Sequence, residues 1–340
     1  MKVRTLRVGM LMARLLGVGL LAVGPLATTA ACTAHPAAPA AARSAPAASP
    51  AATDADVPVA TASRSPSPAP TGIGPLYYIG PAAGDAAIRR WVPGSAPAAL
   101  PGVFTGSYLN TNVAPDGRRA SWVVDATGTL RIVDLGTGKV ALTRRNVDAQ
   151  CAEPGWAPDS RHLLLRDVAG TGKLGVLDVA TGTVARLPYQ LDGCHLTWSA
   201  DGTAIGYVDG AGKLFVARAD GSQPHQVPGL GDGSRPATFD LESVSARGDR
   251  VALWVNDGST PAGDVARGLS SNAIVDTRTG HLVALPVDGL LQAVFRADGT
   301  MLARVQGSAH NQIVLVSAAG AVLTRIDEPA TLRNQLLLTT

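Results

Sequence analysis

Beyond residue 72 the chain is written in short apolar runs parted by turn residues. Arg119 to Val124, His162 to Arg166, Ala204 to Val208, Val251 to Val255 and Met301 to Val305 are five such runs. Each is followed by a second run that ends in a glycine turn: Leu130 to Gly138, Leu174 to Gly182, Leu214 to Gly221, Ile274 to Gly280 and Ile313 to Gly320. A further run closes some units, as in Lys139 to Thr143 and His281 to Leu285. Short apolar runs bounded by turn chemistry predict strands, and their succession predicts an all-β meander.

One phrase stands ahead of each unit. It reads Val113-Ala-Pro-Asp-Gly117, Trp156-Ala-Pro-Asp-Ser160, Trp198-Ser-Ala-Asp-Gly202, Val244-Ser-Ala-Arg-Gly248 and Phe295-Arg-Ala-Asp-Gly299. The fourth position falls at 116, 159, 201, 247 and 298, giving spacings of 43, 42, 46 and 51. The apolar residue ends an inner strand. Proline then presets φ, the Asp side chain accepts a backbone amide, and glycine takes the left-handed position of a tight turn. A period near 43 residues with four strands per unit is that of a propeller blade.

At this period residues 73–340 hold six blades. The first has only three candidate strands, Leu76 to Ile79, Ala87 to Val92 and Ala98 to Val103, and Leu332 to Leu338 is left over at the other end. That carboxy-terminal segment is expected to supply the missing innermost strand and close the ring, because open sheet edges invite aggregation. The tandem phrases resemble the propeller repeats of the TolB family. The resemblance implies a six-bladed propeller of four-stranded antiparallel blades; the amino-terminal domain of true TolB has no counterpart, which argues against a Tol-Pal role. Propellers host unrelated activities, so the repeat fixes no function.

The first 72 residues follow a different pattern. Lys2, Arg4, Arg7 and Arg14 precede or flank a ten-residue apolar run, Leu15 to Gly24, too short for a membrane span of roughly 20 apolar residues. Residues 1–31 read as an export signal. Thr28-Thr29-Ala30-Ala31 before Cys32 resembles the lipobox of bacterial lipoproteins, although Thr29 stands where leucine is commonest; the resemblance implies lipidation of Cys32. Residues 33–72 contain no Leu, Ile, Met or aromatic residue and form an expected disordered tether within the segment 32–72. The predicted location is outside the cell, anchored to the outer face of the cytoplasmic membrane.

Charge and composition narrow the chemistry. The formal charge is +3, but losing the four leader cations leaves 25 basic residues against 26 acidic ones. No basic patch advertises phosphate binding, so nucleic acid is excluded as an expected partner. Gly136-Thr-Gly-Lys139, Gly170-Thr-Gly-Lys173 and Gly210-Ala-Gly-Lys213 lack the spacing and the following hydroxyl of a phosphate loop and read as hairpin turns. No GxSxG elbow or HExxH pair is present. His162, His195, His225, His281 and His310 are scattered, and only His195, beside Cys194 on a predicted inner strand, is singled out, with a packed or hydrogen-bonded role expected. No catalytic residue, metal ligand or cofactor is predicted.

Two further expectations concern sites. Cys151 and Cys194 stand five and four residues before Trp156 and Trp198, at matching places on adjacent blades, and an exported compartment permits a disulfide between them. The loop between the second and third strands of the fifth blade, Asn256 to Asn272, is far longer than its counterparts and carries Asp257, Asp264 and Arg267. Long loops on rigid scaffolds are frequent binding sites. The reading is a monomeric, non-catalytic scaffold that binds an envelope protein or small ligand. Its rival is a lactonase- or lyase-like propeller enzyme with its site at the channel mouth.

Overall fold

The computed structural model describes residues 72–80, 87–102, 111–124, 126–149, 151, 154–167, 172–231, 238–255 and 270–338. The leader, Cys32, the tether and the loop residues Asp257, Asp264 and Arg267 lie outside the described residues. Six antiparallel sheets make up the ring, and no helix among the described residues is long and apolar enough to cross a membrane.

Five blades follow the repeat. Blade 2 runs from its innermost strand outward as Asn112–Val113, Arg119–Val124, Thr129–Asp134 and Val140–Arg144. Blade 3 is Gly155–Trp156, His162–Asp167, Lys173–Asp178 and Val184–Arg186. Blade 4 is Cys194–Trp198, Ala204–Val208, Leu214–Arg218 and His225–Gln226. Blade 6 is Leu290–Phe295, Met301–Val305, Gln312–Val316 and Val322–Asp327. Blade 5 keeps three full strands, Thr238–Val244, Arg250–Val255 and Ala273–Asp276. Its expected outer run, His281 to Leu285, contracts to a single bridge, Val275↔Leu282. Next to that bridge the Val283 amide still donates to the Ile274 carbonyl.

Blade 1 is closed from both ends of the domain. Leu76–Ile79, Ile88–Trp91 and Ala98–Ala99 form its outer three strands, and Leu336–Leu338 forms the innermost. Tyr77 pairs with Leu338, Tyr78 with Leu337 and Ile79 with Leu336. The carboxy-terminal segment therefore does fill the vacant position.

The core is divided among the blade junctions. Alternate side chains of a strand point to opposite faces, and both faces of every blade are covered by neighbours, so central strands read as unbroken apolar runs. Tyr77 faces blade 2, joining Val113, Ala120 and Trp122, whereas Tyr78 faces blade 6, joining Leu302, Ile313 and Leu315. Leu338 and Leu337 divide between the same two clusters. The leading residue of each phrase lies in the cluster shared with the preceding blade: Trp156 with Val123 and Leu130, Trp198 with Leu164 and Leu174, Phe295 with Ala252 and Ile274. These aromatic residues belong to the packing between blades.

The phrase itself folds as read. Gly117, Ser160, Gly202, Gly248 and Gly299 each donate their amide to the carbonyl three residues earlier, and each has positive φ. The Asp116, Asp159, Asp201 and Asp298 carboxylates accept the amides of Arg118, Arg161, Thr203 and Thr300. Where Arg247 replaces Asp, the Ser245 hydroxyl instead donates to Asp249. These turns and the turns between third and fourth strands lie on one face of the ring. The loops between second and third strands and the crossings between blades lie on the opposite face.

Candidate functional site

The opposite face holds a concentration of buried polar chemistry around the start of the inner strands of blades 4 and 5. Cys151, in the crossing into blade 3, is bonded to Cys194, with Cα atoms 4.4 Å apart. The amide of His195 donates to the carbonyl of Cys151, and His195 adopts a left-handed φ of 53°. Left-handed backbone costs an ordinary residue about 1 kcal/mol or more and persists only where the surroundings hold it. Here the disulfide and a bulge do so: the register slips between Cys194 and Thr197, leaving two residues against one on the facing strand.

The bulge turns the imidazole toward blade 5. Nδ1 of His195 lies 3.4 Å from Oδ1 of Asp240, and both side chains are buried. Glu242, also buried, accepts from Nε2 of Gln292, which donates a second bond to the Leu337 carbonyl on the closing strand. The crossing that carries Cys151 is fixed in turn. Its amide donates to Asp148, and Arg166 donates from Nη2 to the Gly193 carbonyl. Gly193 itself admits no side chain, because a Cβ there would lie 2.6 Å from the Val208 carbonyl oxygen.

Similar bonds join the blades around the inner ring. Asn112 donates to the Pro154 carbonyl, Thr197 to the Leu241 carbonyl, and the Phe295 amide to the Ser243 hydroxyl. Buried polar groups are stable only when hydrogen-bonded, so these contacts both satisfy the inner strands and fix the blade order. On the outer part of the same face, burial pushes the Tyr207 hydroxyl up in pKa, and Asp209 and Asp192 add to it. Tyr207 stacks on Phe215 with ring centres 5.2 Å apart.

The structure joins the two cysteines and places His195 in a hydrogen-bonded, buried setting. Among the described residues no group of three metal-ligating side chains converges. Sequence reasoning missed Asp240, Glu242, Gln292, Arg304 and Glu328. For Asp240, Glu242, Gln292 and Arg304 a signal was legible, since each stands within a largely apolar strand, as in Phe239-Asp-Leu-Glu-Ser243 and Met301-Leu-Ala-Arg-Val305; Glu328, beside Asp327 and Pro329, carries none. A lone charge in a two-sided buried strand requires a partner, although the sequence does not say which.

Comparison with solved structures agrees with this architecture. A TolB from Acinetobacter baumannii is similar over 78% of this chain and 67% of its own, with 17% identity and a TM-score of 0.51. A TolB-type protein from Agrobacterium tumefaciens is similar over 77% of this chain and 80% of its own, at 14% identity and a TM-score of 0.41. No protein-family model matches the chain, and no curated protein sequence does. The fold is that of a TolB-like six-bladed β-propeller.

Proposed function

We propose that the chain is an exported lipoprotein whose propeller is a non-catalytic, protein-binding scaffold. In this reading residues 1–31 direct export, Cys32 carries the lipid, and residues 33–72 tether the propeller to the outer face of the cytoplasmic membrane. The partner meets the face that carries the disulfide and the blade crossings. One observation supports that choice above others. Arg296, in the phrase of blade 6, donates from Nη1 to the Gly72 carbonyl 2.6 Å away and from Nη2 to the Ile73 carbonyl. The chain is therefore held where it enters, on the turn face, which favours the opposite face as the one presented to a partner. In this reading Asp257, Asp264 and Arg267, which lie outside the described residues between the second and third strands of blade 5, are the loop residues that meet the partner.

Ser271 belongs to the fold and not to the loop, since its buried hydroxyl accepts the Ala293 amide. A test deletion therefore spans Gly258 to Leu269 and spares it. With a photo-activatable residue placed at Asp209 on the opposite face, discrete adducts are expected from the intact protein in cells. The same probe at Asp298 on the turn face gives none, and the loop deletion removes the Asp209 adducts while the melting temperature holds. Equal adducts from both faces would defeat the assignment, and a wild-type protein found soluble with an unmodified amino terminus would defeat the anchor.

A further inference from the structure

Blade 6 carries the longest outer strand among the described residues, Val322–Asp327, and the blades on both sides of it have reduced ones. Blade 1 ends in Ala98–Ala99 and blade 5 in the single bridge at Leu282. The edge of blade 6 is thus both long and unshielded, and Val322 and Leu323 on it are 40% and 55% exposed. An open strand edge presents unpaired amides and carbonyls and is a template for another strand unless it is kept short.

The register says which groups are presented. Asp327 faces Gln312, Ile326 faces Ile313, Arg325 faces Val314 and Thr324 faces Leu315, and the Glu328 amide donates to the Asn311 carbonyl. Because bonding alternates along an antiparallel pair, Ile326 and Thr324 turn their main-chain groups inward, while Arg325 and Asp327 turn theirs outward. Side chains alternate as well, so Arg325, Asp327 and the extended Pro329 share one face, and the alternation ends at the bulge that leaves Leu323 without a facing residue. Arg325 and Asp327 are held side by side there by Gln312, which accepts from Arg325 and donates to Asp327.

This edge complements itself. A two-fold axis through Ile326 sets Arg325 against Asp327 of the second copy, and Asp327 against its Arg325, both as doubly hydrogen-bonded pairs. Ile326 then meets its own counterpart. Opposite charges directly across strands stabilise, whereas an axis through Thr324 brings Arg325 diagonally against Arg325 and is disfavoured. The other long outer strand, Val140–Arg144, runs into Arg144-Arg145 without an acidic residue and engages Arg144 with Asp167, so it lacks this complementarity.

We propose that a second copy of this chain docks on blade 6, edge to edge, in the register centred on Ile326. The contact is isologous and closes at two copies. It departs from the monomer expected from sequence, and it rests on the edge alone, so its failure leaves the scaffold reading untouched.

Single cysteines placed in the full chain with Cys32→Ala test it under copper-catalysed air oxidation. Ile326→Cys is a directly opposed, non-hydrogen-bonded position, about 4.5 Å from its counterpart and within disulfide reach. Thr324→Cys lies roughly 13 Å from its counterpart in this register. A cross-linked dimer is expected from Ile326→Cys and not from Thr324→Cys. Adding Arg325→Asp or Asp327→Arg singly lowers the cross-linked fraction at least tenfold, and the two together restore it, with melting temperatures unchanged throughout. No cross-link from Ile326→Cys, equal cross-linking from Thr324→Cys, or single reversals that cross-link as well as the parent would each overturn the proposal.

Discussion

Ser160 stands where the other four repeat phrases have glycine, yet its φ is 59° and its backbone makes the same turn. Its hydroxyl accepts the amide of Asp116 on the preceding blade at 2.9 Å, a bond glycine cannot supply. The exception is therefore a trade. Left-handed backbone costs about 1 kcal/mol, and a hydrogen bond to a partly buried amide returns about as much. Ser160→Gly is expected to be nearly neutral, because relief of the backbone offsets the lost bond. Ser160→Ala keeps the strained φ and loses the bond, and should cost about 1–2 kcal/mol. Urea midpoints of the two variants check this, and equal destabilisation by both would refute the trade. Gly117, the counterpart on blade 2, has no such freedom: a Cβ there would lie 2.0 Å from the Tyr77 hydroxyl oxygen.

The closing strand shows how far the sequence is legible at the level of elements. Five phrases in register disclosed the blades, and the leftover segment Leu332 to Leu338 disclosed its own place, because a ring with a missing inner strand has only one gap to fill. The matching offsets of Cys151 and Cys194 likewise disclosed their bond. What the spacing could not disclose is the clasp that holds the closing segment. Arg304 donates to the carbonyls of Gln335, Leu332 and Arg333, pairs with the buried carboxylate of Glu328 at 2.7 Å, and lies over the ring of Tyr78. Asn311 donates to the same carboxylate and to the Arg333 carbonyl. Burial, with Glu328 beside it, pushes the Tyr78 hydroxyl well above its ordinary pKa, so it stays protonated beside the pair. These partners come from four separate segments, and pairing across such distances carries no periodic signal. Removing one member of a buried ion pair leaves the other uncompensated, typically at 3–5 kcal/mol. Arg304→Met is expected to fall in that range by chemical denaturation, and a chain truncated after Asp327 should not reach a cooperative native state. A truncated chain that melts like the full one would refute ring closure by this strand.

Across the whole ring, the turn face carries an acid-sensitive set of carboxylates distributed over blades 2 to 5. Hydrogen bonds from the Thr137 hydroxyl and amide hold Asp134 below the usual carboxylate range, and the Thr279 hydroxyl and amide do the same for Asp276. Asp178 is lowered first by Arg161, which donates from Nη2 at 2.6 Å, and then by the amides of Thr181 and Ala180. Burial alone would raise Asp201, but bonds from Ser199, Thr203 and the Arg247 amide outweigh it; in Asp220 the Ser222 hydroxyl and amide likewise outweigh burial. All five native carboxyls thus ionise below their unfolded value of 3.8. Over that range the unfolded chain binds more protons than the native one, so stability rises with pH there. It is fully present above the unfolded value and is lost as pH falls through the native ones. The melting temperature is therefore expected to be nearly level from pH 7 to about pH 5 and to fall steeply below about pH 4. Asp201→Asn is the sharpest single probe, since it links two blades by accepting the Arg247 amide. That variant should be less stable than the parent at pH 7 and should converge on it as the pH approaches 3. A constant difference between the two across this range would show that the Asp201 charge, as opposed to its shape, contributes nothing to the ring.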